Sequence, residues 1–93
     1  MHLGVLQLEL EVHESQSLKD KRRVIKSLKD RIANGHNVSI AEVGELDDRQ
    51  RSIIAIAMVS NDKRYVQSAL SRLVDMVRCV PQVNLLDYQV EML

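Results

Sequence analysis

Ser52-Ile53-Ile54-Ala55-Ile56-Ala57-Met58-Val59 is the stretch on which the fold turns. Every position after Ser52 is apolar, so no alternation marks one face as wet. A short run of this kind suits a central strand, covered on one face and partly covered on the other. Upstream lies a charged loop over residues 44–51, preceded by a strand over 37–43. In that strand Val38 and Ile40 share one face, and Ser39, Ala41 and Val43 share the other. Downstream, Ser60-Asn61-Asp62 signals a helix start. Val66, Ala69, Leu70, Leu73, Met76 and Val77 then recur at helical spacing, and Pro81 forbids continuation past Cys79. Residues 83–92 form a last strand, with Leu86, Tyr88, Val90 and Met92 on one face and Asp87, Gln89 and Glu91 on the other.

The N-terminal third completes the pattern. Residues 3–12 alternate, with Leu6, Leu8, Leu10 and Val12 on one face and Gln7, Glu9 and Glu11 on the other, which predicts a strand with one buried face. Ser17 is placed as an N-cap, with Asp20 three residues on as a weaker relative of the capping-box Glu. Leu18, Val24, Ile25, Leu28 and Ile32 then fall within one helical arc, and Asn34-Gly35 ends it, Gly35 suiting a left-handed C′ position. The order is strand, helix, strand, strand, helix, strand. Right-handed crossovers favour an α+β ferredoxin-like sandwich in one domain over residues 1–93, its antiparallel sheet ordered 4-1-3-2 and both helices on one face.

Composition narrows the class. Hydrophobic residues make up 45% of the 93-residue chain, too many for disorder, and two tyrosines are its only aromatics, so the core is aliphatic. No run approaches the roughly 18 apolar residues of a membrane span. The single Cys79 excludes an internal disulfide, and a cytoplasmic protein is expected.

The formal net charge of zero conceals a polarised chain. Lys19 through Arg31 carry seven of its thirteen basic side chains and two acids, a local excess of five positive charges. On a helical wheel Lys19, Arg23 and Lys26 take the solvent side, with Arg22 and Lys29 flanking it. A ridge of this kind attracts the phosphates of RNA, or an acidic protein, with an affinity that falls as salt rises. A plain solvated helix face is an equal rival, because amphipathic helices routinely carry charge outside. Arg22 and Arg23 oppose the helix macrodipole at about 0.3–1 kcal/mol. Lys21 projects into the apolar arc. Either its stem carries the ammonium toward a carboxylate on a strand, or the charge is held for a ligand anion. The candidate nucleic-acid-binding residues are therefore Lys19, Lys21, Arg22, Arg23, Lys26 and Lys29. The first and third strands hold no aromatics, which argues against the base stacking used by RNA-recognition motifs and for contact with the backbone of structured RNA.

Other features carry less. The uncovered sheet face combines Leu3 and Val5 with Gln7, Glu9 and Glu11, a surface suited to self-association. Glu45, Asp47 and Asp48 cluster in the 44–51 loop, but their spacing matches no calcium loop and Arg49 and Arg51 would repel a cation, so a solvated loop is the better reading. Its eight residues exceed the usual hairpin length and point to mobility or a partner contact. His2, His13 and His36 follow no ligand spacing, and Cys79 lacks an activating motif. No catalytic set, metal site or cofactor loop is present, so no enzyme is expected.

Ser17-Leu18-Lys19-Asp20-Lys21-Arg22-Arg23-Val24, Asn37-Val38-Ser39-Ile40-Ala41-Glu42-Val43, Val59-Ser60-Asn61-Asp62, Leu86-Asp87-Tyr88 and Val90-Glu91 together resemble the YlxP-like family of small bacterial proteins. The resemblance covers essentially the whole chain and implies a ferredoxin-like fold. Genes of that family often lie near those for translation initiation and ribosome maturation factors, which implies a role near RNA or the ribosome. Family members usually carry a Trp shortly before a Gln-Arg pair; here Arg49 precedes Gln50-Arg51, so any contact made by that Trp is missing. The family offers no catalytic residues to transfer. The expected partners are rRNA or the ribosome and a second copy of the chain through the sheet face. The alternative is a small-ligand-binding or regulatory homo-oligomer using that face.

Overall fold

The computed structural model describes residues 1–93. Its elements follow as β1 (His2–Val12), α1 (Leu18–Gly35), β2 (Ser39–Gly44), β3 (Arg51–Ser60), α2 (Lys63–Arg78) and β4 (Val83–Met92). The strands form one antiparallel sheet ordered β2-β3-β1-β4, which is the expected ferredoxin-like arrangement. The apolar stretch at 52–59 lies in β3, between β2 and β1.

One face of the sheet packs against both helices. Leu6, Leu8, Leu10 and Val12 of β1 and Ile54, Ile56 and Met58 of β3 are buried there. They meet Ile25, Leu28 and Ile32 of α1 and Val66, Leu70, Leu73 and Val77 of α2 in a single core of 18 buried residues. Burying each such aliphatic side chain stabilises the fold by about 1.5–3 kcal/mol. Gly4 lets α2 come close to β1. A Cβ at that position would stand 2.6 Å from Val66 Cγ1 and 2.9 Å from Leu70 Cδ1.

The caps explain the helix starts. Ser17 accepts the Asp20 amide at 3.1 Å, and the Asp20 carboxylate reaches back to the Gln16 amide at 3.4 Å. Asp62 accepts the Tyr65 amide at 3.3 Å at the start of α2. The end of α1 differs from the sequence reading. Gly35 remains helical, no glycine has positive φ, and the extended His36 closes the helix. Its Nδ1 lies 3.2 Å from the Ile32 carbonyl, so the ring satisfies an orphan helix-end acceptor and no left-handed glycine is needed.

Strand β4 differs in one detail. Leu8 pairs with Tyr88 but Leu10 pairs with Leu85, so Leu86 is the extra residue of a bulge. Leu85, and not Leu86, joins Tyr88, Val90 and Met92 on the helix-facing side. Beyond the bulge, Tyr88 is 45% exposed at the sheet edge, with the Arg78 guanidinium 5.6 Å from its ring centre.

Candidate basic surface on the first helix

At about 100° per residue, the apolar arc of α1 centres on Lys21, Ile25, Leu28 and Ile32, and its opposite side carries Lys19, Arg23, Lys26 and Asp30. Lys19, Arg22, Arg23 and Lys26 are exposed and Lys29 is half-buried. Lys19 to Lys29 spans ten residues, or about 15 Å along the axis. Lys26 pairs with Asp30 at 2.8 Å, and that carboxylate raises the lysine's pKa above its ordinary value, through the hydrogen bond first and charge attraction second. Pairs this exposed contribute little, so Lys26 can exchange Asp30 for another anion. Lys19, Arg22, Arg23 and Lys29 have no ionic partner in the fold.

Lys21 does not belong to this surface. It is fully buried, and its Nζ donates to the carbonyls of Glu45 at 2.7 Å and Arg51 at 3.0 Å, with a longer contact to Leu46 at 3.4 Å. The same ammonium lies 3.2 Å from Glu42 Oε2, which also accepts the Ser52 hydroxyl at 2.6 Å. The stem thus delivers its charge to a strand carboxylate, the first of the two alternatives read from the sequence. Its assignment to nucleic-acid contact is withdrawn, because every donor direction is already taken inside the protein.

That ammonium also organises the β2–β3 connection, here six residues, Glu45 to Gln50. Asp48 Oδ1 accepts the amides of Gln50 and Arg51, both at 2.8 Å, and these bonds hold its pKa below the usual aspartate value. Gln50 then ties the loop to the β1–α1 connection, its Nε2 donating to Ser15 at 3.3 Å and its carbonyl accepting the Val12 amide at 2.6 Å. The Asp48 carboxylate serves the backbone, and nowhere do three His, Cys, Asp or Glu side chains gather to hold a metal ion.

The structure adds a feature that sequence reasoning missed. Arg23, Val24, Ser27, Leu28 and Arg31 of α1 line a cleft of about 230 Å³ whose other wall is Val80 and Gln82. Arg31 belongs to the basic segment Lys19–Arg31 but not to the candidate contacts. The repeat Arg23, Ser27, Arg31 marks one helix stripe, but only the tertiary placement of the α2–β4 turn makes it the wall of a cleft.

Both helices lie on one face, so the charge asymmetry extends across the molecule. α1 and α2 together hold eleven of the thirteen Lys and Arg residues and three of the thirteen acids. Glu9 and Glu11 of β1 and Asp87 and Glu91 of β4 lie in the sheet layer. On the outer sheet face Val5, Ile53, Ala55 and Ala57 are half-buried. That face has no aromatic residue, since Tyr65 is on α2 and Tyr88 lies opposite Leu8 on the helix side. No helix is long and apolar enough to cross a membrane.

The family model DUF503, described as a protein of unknown function, matches residues 3–90. The uncharacterised protein YlxP of Bacillus subtilis strain 168 is 33% identical over 82 residues, covering 88% of this chain and 89% of that one. Among solved structures, the de novo designed protein Foldit4 aligns over 98% of this chain and 96% of its own, with TM-score 0.55 and 16% identity, a likeness of fold alone. LarC2, the C-terminal domain of a cyclometallase, aligns over all of this chain and 56% of its own at 9% identity; its TM-score of 0.42 carries no argument.

Proposed function

This chain belongs to the DUF503 family, whose function is unknown, and from that premise we propose that it is a non-enzymatic protein that binds structured RNA, such as rRNA within a ribosomal subunit. The supporting observation is the division of charge between the two layers. The helix layer carries an excess of eight positive charges and the remainder of the chain an equal excess of negative ones. A field so oriented steers the helix layer toward phosphates and turns the sheet away from them. Lys19, Arg22, Arg23, Lys26 and Lys29 form the contact surface. Four of the five have no internal partner, so contact with phosphate breaks only the exposed Lys26–Asp30 pair. The absence of aromatics from the outer sheet face favours backbone contact over stacking there.

Binding of an rRNA fragment measured against salt tests this. Five phosphate contacts give a slope of log K on log salt of about −4, and reversing Arg22, Arg23 and Lys29 to Glu removes both the affinity and the slope. Tight binding by the triple variant would refute the reading.

The aliphatic centre of the outer sheet face favours a second, compatible reading, self-association. A twofold axis along the strands sets acidic β4 of one copy over uncharged Ser39, Ala41 and Val43 of β2 in the other, keeping like charges apart. Val5→Glu then halves the mass seen by light scattering; an unchanged mass would exclude this interface.

A further inference from the structure

We propose that the cleft between α1 and the α2–β4 turn receives a single unpaired nucleotide of the bound RNA. This rests on the RNA-binding reading and names what that surface recognises. Val24, Leu28 and Val80 give the cleft an aliphatic lining, and Ser27 and Gln82 add polar side chains to it. Neither side chain has a hydrogen-bond partner within the protein, so a hydroxyl and a carboxamide are free to meet the polar edge of a base. Arg23 and Arg31 flank the opening two helical turns apart, about 12 Å along the axis, and neither guanidinium has an ionic partner.

Each part answers a different part of a nucleotide. A base presents flat apolar faces and a polar edge. The phosphates on its 5′ and 3′ sides need cations on both sides of the seat. Arginine planes also stack on bases, which matters in a chain whose two tyrosines lie outside this cleft. The volume of about 230 Å³ falls below the roughly 300–1,000 Å³ of drug-sized pockets and suits one heterocycle. Regular duplex RNA cannot enter, because its bases are paired and stacked. The cleft therefore selects bulges, loops and ends, while the ridge of Lys19, Arg22, Lys26 and Lys29 holds the adjoining helix.

The test compares two synthetic RNA hairpins in fluorescence anisotropy at about 50 mM salt, one fully paired and one with a single unpaired nucleotide in its stem. Wild-type protein binds the bulged hairpin about tenfold or more tightly, as expected for seating one base. Ser27→Trp fills the cleft from an exposed position, abolishes that preference and leaves affinity for the paired hairpin unchanged. Arg31→Gln, which adds no bulk, lowers the preference several-fold and keeps the fold's circular dichroism. Equal wild-type affinity for the two hairpins overturns the cleft assignment and leaves the ridge reading standing. Binding to neither hairpin overturns both.

Discussion

Replacing Lys21 by Met keeps the aliphatic stem and deletes only the ammonium, which makes it a clean probe of how α1 is joined to the sheet. In the wild type that group is fully buried and contacts the Glu45 and Arg51 carbonyls and the Glu42 carboxylate. Removing one partner of a buried ion pair typically costs about 3–5 kcal/mol, because the remaining charge and acceptors stay desolvated. Domains of this size have a total stability of about 5–14 kcal/mol, so the loss consumes a large share of it. At about 4–8 °C per kcal/mol, the melting temperature falls by at least about 12 °C. Urea unfolding followed by circular dichroism gives the free energy directly. The double variant Lys21→Met, Glu42→Leu removes the stranded carboxylate and regains part of the loss, but the two carbonyls still lack their donor and wild-type stability is not reached. A loss below about 1 kcal/mol in the single variant, or full recovery in the double, would refute the reasoning.

Other outcomes follow from the same structure. Gly4→Ala places a methyl 2.6 Å from Val66 Cγ1, and overpacking of that kind costs about 1–3 kcal/mol in urea unfolding; adding Val66→Ala restores part of it. The Asp48 carboxylate, titrated by carbon-detected NMR, has its midpoint below the usual aspartate value, because the Gln50 and Arg51 amides stabilise the charged form. Its contribution to stability is thus fully present above about pH 4 and is lost as pH falls through the lowered folded value. Asp48→Asn, which leaves a weaker neutral acceptor for the two amides, flattens that part of the stability profile.

The fold was readable from the sequence because period and burial agree within each element. Leu6, Leu8, Leu10 and Val12 alternate and are all buried, and Val66, Leu70, Leu73 and Val77 keep helical spacing and line α2's inner face. Local departures came from interactions between elements. The bulge at Leu86 depends on how β4 registers against β1, and Gly35 needs no left-handed turn because a ring one residue on caps the carbonyl. The candidate surface was half legible. Lys21's place in the apolar arc showed that its charge must turn inward, but not that loop carbonyls would share it with Glu42. The layered charge asymmetry and the cleft beside Arg31 require both helices to be set on one face and the α2–β4 turn to close against α1. Neither is visible in a linear charge count.

Co-sedimentation with ribosomal subunits at low salt tests the central claim most directly. The account predicts that wild-type protein pellets with a subunit, is released as salt rises, and fails to pellet when Arg22, Arg23 and Lys29 are reversed to Glu in a chain that still folds. A wild-type protein left wholly in the supernatant, or a charge-reversed variant that pellets as well as wild type, would contradict it.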